Sequence, residues 1–408
     1  MTGQAQTIPH LSERVLHLNE SETIKMAAMA REMKQRGIDV INLSLGEPDF
    51  EAPLHIRAAA KKAIDEGHSH YPPVTGYLQL REAICKKFER DNGLHFKPDQ
   101  IVVSTGAKQS LANLILALVN PGDEVVTPAP YWVSYAAQVQ LADGTFKPIA
   151  TSVQDNFKLS AQQLDEALTD RTRVFVFSSP CNPTGAFYTR EHLQELVEVF
   201  DRHPDVFIIS DEIYEYMNFE YAHVSIAEFE SMKERTAIVN GISKSFAMTG
   251  WRLGYMAGPK WLADACARIQ GQFTSGTSTI SQMAAIEALT SDLEPTIRMR
   301  EAFRKRRDLV LELITRIPGV ISNKPEGAFY VFPDVSAHFG KSCQGKVISN
   351  ADDLCMALLE HAHVSVVPGD AFGEPRCIRI SYANSEENLR KAVGRMETFF
   401  EALSTNDE

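Results

Sequence analysis

Cysteines are few in this chain and long apolar runs are missing, and each absence excludes a class of protein. Six cysteines are scattered through 408 residues without a CxxC pair, which is typical of buried thiols in a reducing compartment and not of a disulfide framework. The apolar run at 111–119 is too short to cross a bilayer. The chain also opens without a cationic, apolar leader. We therefore expect a cytoplasmic protein without a membrane segment, and no bound metal is expected.

Positive charge is also in short supply. Lysines and arginines total 41 against 53 aspartates and glutamates, which gives a formal net charge of −12. Because such a surface repels nucleic acid and anionic membranes, neither is an expected partner. Any site for an anionic small molecule must therefore be locally positive. Neither GxGxxG nor GxxxxGKS/T occurs between a strand and a helix, which argues against a plain nucleotide-binding protein.

The chain has the composition of a large globular protein in which apolar strands alternate with helices. It is 44% hydrophobic and 23% charged, and its length favours two domains. Strands are predicted at 40–45, 101–104, 124–127, 173–177, 206–210 and 237–240, and helices at 21–35, 78–92, 107–119, 131–141, 190–202 and 291–316. This order predicts an α/β domain whose mostly parallel sheet is flanked by helices.

The pattern changes after the Pro-Gly pair at 318–319. Short strands are predicted at 328–332, 364–367 and 377–381 around a helix at 351–362, which indicates a smaller α+β domain. We expect a large domain at 50–295 and a small domain at 296–408, joined by the N-terminal segment 1–49. Neither an internal repeat nor a low-complexity segment is present.

Several polar residues follow the predicted strands, where open α/β sheets bind ligands. Gly106 and Ala107 open a helix after a strand and suit a phosphate, although such junctions are common. Asp211 ends a strand and suits a protonated ring nitrogen, or equally a helix cap. Lys244 in a buried cleft would have a lowered pKa and act as a nucleophile and base. Arg252 suits the same phosphate. Each signal is weak alone, and the combination favours a site.

Four motifs in this order give the combination its specificity. They are Asn182-Pro183-Thr184-Gly185, Asp211-Glu212-x-Tyr214, Ser243-Lys244-x-Phe246 continuing to Arg252-Leu253-Gly254, and Ile378-Arg379-Ile380-Ser381. With these motifs the sequence resembles the class I aminotransferases of fold type I, most closely the bacterial aspartate aminotransferases. The resemblance extends from about residue 21 to residue 396. It implies the cofactor pyridoxal 5′-phosphate and a ping-pong transfer of an amino group.

The resemblance also implies a role for each residue around the cofactor. Lys244 is expected to hold the cofactor as a Schiff base and to move the proton at the substrate Cα. Asp211 is expected to pair with the ring nitrogen, Asn182 and Tyr214 to bind the phenolate oxygen, and Trp132 to stack on the ring. The expected phosphate ligands are Gly106, Ala107, Ser243 and Arg252, joined by Tyr71 from a neighbouring subunit. That last role implies a homodimer, although Tyr71 in a Tyr-Pro-Pro sequence also suits an ordinary surface loop.

Substrate recognition is expected, by the same resemblance, to centre on two cations. Arg379 matches the arginine that grips the substrate α-carboxylate, with Gly46, Trp132 and Asn182 nearby. Lys108 matches the lysine that meets a distal carboxylate in the aspartate-specific subgroup, and Ser21 and Thr23 match hydroxyls that close this pocket. Glu22 departs from the subgroup pattern, and we expect it to point outward. Aspartate or glutamate is the expected substrate, and Thr23 and Lys108 leave prephenate open.

Two other classes of function remain open at this stage. The same fold supports aromatic, kynurenine and alanine aminotransferases and also C–S or ring-forming lyases, so the fold alone does not choose among them. A non-catalytic regulator built on an aminotransferase-like domain would carry an additional DNA-binding helix-turn-helix domain. Only one predicted helix precedes the first motif near residue 42, and the acidic balance disfavours DNA.

Overall fold

A seven-stranded sheet forms the centre of the protein in a computed structural model, which describes residues 11–16, 18 and 20–404. Its strands are β1 (Ile101–Ser104), β2 (Glu124–Ala129), β3 (Thr145–Ala150), β4 (Thr172–Ser178), β5 (Phe207–Asp211), β6 (Thr236–Gly241) and β7 (Gly254–Ala257). The spatial order is β1-β7-β6-β5-β4-β2-β3. β7 runs antiparallel to both neighbours and all other pairs are parallel. The predicted mostly parallel α/β sheet is therefore confirmed.

Alternate residues of each strand face opposite sides of the sheet, and both sides are covered by helices. Val103 and Ile238 pack under one set of helices, whereas Val102 and Val239 pack under the other set. The helices of this region are Leu54–Asp65, Leu78–Asn92, Ala107–Leu118, Ser134–Leu141, Ala161–Ala167, Arg190–Phe200, Lys260–Phe273 and Thr279–Thr290. Because both faces of the sheet are buried, the sequences of its inner strands are nearly continuous apolar runs.

A second core lies beside the sheet and combines the two ends of the described chain. Its helices are Glu22–Gln35, Glu294–Ile314, Ala351–Ala357 with a π-helical continuation at Leu358–Ala362, and Glu386–Glu401. Its short strands are Ile41–Asn42, Tyr330–Val331, Ser342–Cys343, Lys346–Val347, Val364–Ser365, Val367–Pro368 and Ile378–Ser381. Ile41–Asn42 pairs in parallel with Val364–Ser365. On this basis we propose that the N-terminal segment belongs to the smaller domain; residues 1–10 lie outside the described part.

Several element boundaries differ from the sequence prediction for identifiable reasons. The predicted helix at 131–141 begins only at Ser134, because the Tyr131 N–H donates to the Phe372 carbonyl across the molecule at 3.0 Å. The predicted strand at 40–45 is only Ile41–Asn42. β3 was not predicted because it is an edge strand with exposed positions and a proline. Among the described residues, the helices are all too short or too polar to cross a membrane.

Candidate active site

The carboxyl ends of β4, β5 and β6 border a cleft of about 290 Å³ next to the second core. Nearly all of the predicted site residues line it, although the sequence separates them by more than 300 positions. They are Ser21, Thr23, Gly46, Ala107, Lys108, Trp132, Asn182, Asp211, Tyr214, Ser243, Lys244, Arg252 and Arg379. Gly106 lies at the edge of the cleft against Arg252. Tyr71 lies elsewhere on the surface, with 95% of its area exposed.

Lys244 follows β6 in an irregular turn at the floor of the cleft. Its ammonium Nζ donates to the Gly46 carbonyl at 2.5 Å and lies 6.0 Å from the centre of the Tyr214 ring. Burial lowers the pKa of Lys244 to about 8, and the Glu47 carboxylate opposes this shift. An amine with this pKa is partly neutral near physiological pH, so that it can act as a nucleophile and as a base.

Asp211 is the last residue of β5, and its carboxylate is buried at the cleft. One oxygen accepts a hydrogen bond from the Tyr135 hydroxyl at 2.8 Å. The other oxygen accepts from the Ile213 N–H at 3.3 Å, so that Asp211 also caps the turn that follows. Burial raises the pKa of Asp211 to about 6. A cationic group in the cleft would favour the ionised carboxylate and reverse this shift.

The backbone and Arg252 form an anion-binding cradle beside the cleft. Gly106 has a φ of +86° and caps the helix Ala107–Leu118, whose first-turn N–H groups have no partner within the helix. A Cβ atom on Gly106 would lie 2.5 Å from Arg252 Nη2, and one on Gly254 would lie 2.2 Å from the Ala107 nitrogen. Glycine at both positions therefore lets the guanidinium and the helix start approach one another closely.

Arg379 projects from a strand of the second core and is fully buried. Its Nη1 donates to Asn182 Oδ1 at 3.0 Å and its Nη2 donates to the Ser44 carbonyl at 2.6 Å. The guanidinium lies between two aromatic rings, 4.7 Å from the centre of Tyr330 and 4.9 Å from that of Phe372. Burial lowers the pKa of Arg379. Its Nε has no protein partner, so the group has remaining capacity for an anion.

Lys108 also lines the cleft, and its ammonium is 5.1 Å from the centre of the Trp132 ring. Burial and then the charge of Arg252 lower the pKa of Lys108. The Thr23 hydroxyl lines the same cleft and is buried without a protein partner. An acidic ligand would satisfy both groups. Since the chain as a whole is acidic, this cleft is the locally positive site that the composition requires.

Glu22 is not among the residues that line the cleft. Its carboxylate lies 3.2 Å from the ammonium of Lys25, one turn along the same helix. The ion pair neutralises the extra carboxylate, whose Oε2 is shielded from solvent, and the expectation that Glu22 points outward stays a prediction.

Several cleft residues were missed by the sequence analysis because they belong to no motif. The Tyr330 hydroxyl is 2.7 Å from the Tyr214 hydroxyl, and the Tyr330 ring also covers Arg379. Tyr135 holds Asp211, and Ser178 lines the cleft at the end of β4. The position of Ser178 at a strand end was a usable signal. The sequence around Tyr330 and Tyr135 gave no such signal, because their contacts join residues that are 116 and 76 positions apart.

Comparisons with known proteins agree with this geometry. A family model described as aminotransferase class I and II matches residues 38–396. The aspartate/prephenate aminotransferase of Cereibacter sphaeroides is 48% identical over 97% of this chain and 99% of its own length. The aspartate aminotransferase of Bacillus subtilis is 43% identical over 97% of this chain and 100% of its own.

Solved structures give the same result. The crystal structure of the aspartate aminotransferase from Rhizobium meliloti matches with a TM-score of 0.93 at 42% identity, covering 97% of this chain and 99% of that chain. The aspartate aminotransferase of Thermus thermophilus with maleate matches with a TM-score of 0.89 at 41% identity, covering 95% and 99%. The chain therefore belongs to the aminotransferase class I and II family and is an aminotransferase of fold type I.

Proposed function

We propose that this aminotransferase uses pyridoxal 5′-phosphate to move the amino group of an acidic L-amino acid, aspartate or glutamate, to a 2-oxo acid. The observation that carries the proposal is the arrangement of one cleft. It brings together a half-buried lysine of lowered pKa, an anion cradle and a buried, partly unpaired arginine. The names of the relatives from Cereibacter sphaeroides and Bacillus subtilis point to the same reaction.

The residues present fit this cofactor. Gly106, Ala107, Ser243 and Arg252 would hold its phosphate, since the cradle combines helix N–H groups with a guanidinium. Asp211 would face its ring nitrogen, and the otherwise unfavourable burial of the carboxylate fits a cationic partner. When bound, the cofactor supplies an electron sink that stabilises negative charge at the substrate Cα.

The side chains of the protein would bind the cofactor and the substrate and would move the proton. Lys244 would hold the cofactor covalently and would move the proton at the substrate Cα. Asp211 would keep the ring nitrogen protonated, Asn182 and Tyr214 would hold the phenolate oxygen, and Trp132 would cover the ring. Arg379 holds the α-carboxylate, next to the backbone of Gly46. The first amino acid leaves as a 2-oxo acid, and a second 2-oxo acid takes the amino group in a ping-pong cycle.

The acidic substrate class is inferred from Lys108, supported by the hydroxyls of Ser21 and Thr23. A second substrate carboxylate buried without a partner would cost several kcal/mol, and Lys108 is a cation in the lining of the cleft that could pair with it. The related Thermus thermophilus enzyme was solved with maleate, which is a dicarboxylate. Prephenate is a second candidate acceptor, favoured by the presence of both Thr23 and Lys108 in the cleft and by the name of the Cereibacter sphaeroides relative.

Replacing Lys108 with alanine tests the substrate class. We expect kcat/KM for aspartate and glutamate to fall by about 10²-fold, the equivalent of about 3 kcal/mol for an unpaired buried carboxylate. We expect kcat/KM for phenylalanine to change by less than about threefold, because that substrate lacks a distal carboxylate.

Steady-state kinetics on aspartate, glutamate, phenylalanine and prephenate, with the 2-oxo acid product identified, makes this measurement. Lys86→Ala, at an exposed position on the helix Leu78–Asn92, is the matched control. Equal losses of kcat/KM on acidic and aromatic substrates would show that Lys108 does not bind the distal carboxylate. A product other than the 2-oxo acid would instead indicate a lyase on the same fold.

A homodimer with shared active sites is part of the same proposal. Tyr71 is 95% exposed, and Leu54 and Phe273 are 75% and 70% exposed, so these side chains are available to a partner that would cover them. Tyr71 of a second copy would then reach the phosphate held by Arg252. We expect light scattering to give twice the chain mass, and we expect Tyr71→Phe to weaken cofactor binding without changing that mass. A monomer with full activity would contradict the shared site.

We also propose a cytoplasmic location. All six cysteines are free in the described residues, as expected for a reducing compartment.

A further inference from the structure

The turn that follows β5 carries two carboxylates that the mechanism does not use. Glu212 and Glu215 alternate with Asp211 and Tyr214 along the chain, are almost fully buried, and do not line the cleft. The Glu215 N–H donates to the Glu212 carbonyl at 2.9 Å, and the Glu212 N–H donates to the Val239 carbonyl at 2.9 Å. One short backbone segment therefore holds both the cleft residues and this second pair.

Glu212 is surrounded by hydrogen-bond partners. Its Oε1 accepts from the hydroxyls of Ser210 and Ser225 at 2.9 and 2.6 Å, and its Oε2 lies 3.0 Å from His223 Nε2. Burial acts to lower the pKa of His223, but the charge and hydrogen bond of Glu212 oppose it, and the pKa lies above its ordinary value. The imidazole and the carboxylate form a buried ion pair when His223 is protonated, and the Nδ1 of the ring has no protein partner.

Lys87 balances the second carboxylate. Lys87 belongs to the helix Leu78–Asn92, and its side chain is buried. Its ammonium donates to Glu215 Oε2 at 2.5 Å and to Asn92 Oδ1 at 2.8 Å. At the rim, Asp91 lies 4.0 Å from Lys87 and is paired with Arg90 at 2.6 Å, so that this second pair adds no net charge. The inner cluster of Lys87, Glu215, Glu212 and His223 is therefore neutral only when His223 is protonated.

A metal ion is a weaker explanation of this cluster than a balance of charges. Glu212, Glu215 and His223 each place one atom within 4.8 Å of the other two, a spacing that suits a metal. Lys87 already brings a cation to the same carboxylate, and a second cation would be repelled.

The charge of Glu212 also acts on Asp211, its neighbour in the chain. Burial is the main cause of the raised pKa of Asp211, and the negative charge of Glu212 adds to it. A protonated His223 offsets that negative charge. Without it, Asp211 would bind a proton more readily and would pair less well with a protonated ring nitrogen.

We propose that His223 is a positioning residue: by pairing with the buried carboxylate of Glu212 behind the cleft, it offsets the negative charge beside Asp211 and so keeps Asp211 ionised. The inference rests on the proposed cofactor function. It adds that the residues behind the cleft, which never touch the cofactor, determine how tightly the cofactor is held.

The test compares His223→Gln, Glu212→Gln and the double variant with the wild-type protein, and uses His203→Gln as the control. His203 is partly exposed, and its Nε2 lies 3.4 Å from Asp165, which is not a member of the cluster. The measurement is the dissociation constant of pyridoxamine 5′-phosphate by fluorescence, between about pH 5 and pH 9. This ligand needs no covalent bond to Lys244, and its own titration is the same for every variant.

We expect His223→Gln to weaken binding about tenfold near neutral pH and to move its acid limb upward by about one pH unit, because Glu212 is left unbalanced. Glu212→Gln should bind at least as tightly as wild type, and the double variant should return to within about twofold of wild type. A merely structural role would lower the melting temperature of both single variants, weaken binding in both, and leave the acid limb unchanged. That result would overturn the proposal.

Two further outcomes are distinguishable. If His223→Gln alone does not fold, Glu212→Gln and the double variant still test the proposal. It requires that both variants bind pyridoxamine 5′-phosphate with a dissociation constant no more than about twofold above that of wild type. If the wild-type protein itself does not bind pyridoxamine 5′-phosphate, the cofactor assignment fails and this inference fails with it.

Discussion

Replacing Lys244 with alanine should abolish amino transfer, with kcat falling by at least about 10⁴-fold. The side chain is expected both to hold the cofactor covalently and to move a proton, and a positioned proton-transfer group alone contributes up to about 10⁴-fold. The variant should also lose the pH-dependent visible absorption of the lysine-bound cofactor, because alanine has no amine that could form the covalent bond. Absorption spectra and single-turnover kinetics on the purified variant provide both measurements.

The control for this experiment is Lys260→Ala. Lys260 is a surface lysine whose ammonium is 2.8 Å from Asp264 one turn along its helix, and its loss should leave both spectrum and kinetics unchanged. Survival of the pH-sensitive absorption in Lys244→Ala would rule this residue out as the attachment point. Loss of the absorption with retained folding, measured by thermal unfolding, would support it.

Replacing Arg379 with lysine should lower kcat/KM by about 10²- to 10³-fold on every amino acid, acidic or not. A lysine carries the same charge but cannot provide the planar fork that binds a carboxylate through two parallel hydrogen bonds, and it cannot stack between Tyr330 and Phe372. An effect of about 3 to 4 kcal/mol corresponds to this range. Steady-state kinetics on aspartate and phenylalanine would show similar losses for both.

Arg376→Lys is the matched control, since Arg376 lies three residues earlier and pairs with Glu374 at 3.1 Å. We expect little change in that variant because a partly exposed ion pair contributes about 0–1 kcal/mol. Comparison of the kinetic losses in Arg379→Lys and Lys108→Ala tests the proposed substrate orientation, because Arg379 is assigned to the α-carboxylate and Lys108 to the distal carboxylate. A loss confined to dicarboxylates in Arg379→Lys would mean that the two cations have exchanged roles.

The local spacing of apolar residues was sufficient to predict the helices and strands whose buried positions repeat regularly. The helix Leu78–Asn92 and the strand Ile101–Ser104 were predicted residue by residue, since their apolar positions repeat at helical and buried-strand spacing. The strand Gly254–Ala257 was not predicted, because its first residues were considered only as part of the Lys244 segment. The helix at 131–141 was predicted three residues too long because a backbone contact with Phe372 holds its start.

The chemistry of the protein was determined by the sequence itself. Asn182, Asp211 and Lys244 each follow a strand, and the carboxyl ends of parallel strands meet at one edge of a sheet. Short motifs in a fixed chain order were therefore enough to predict one cleft. The tertiary structure alone decided which side chains support that cleft. Tyr330 meets Tyr214, and Lys87 reaches Glu215 from a helix 128 positions away. Contacts of this kind depend on how buried elements pack, and no local period records them.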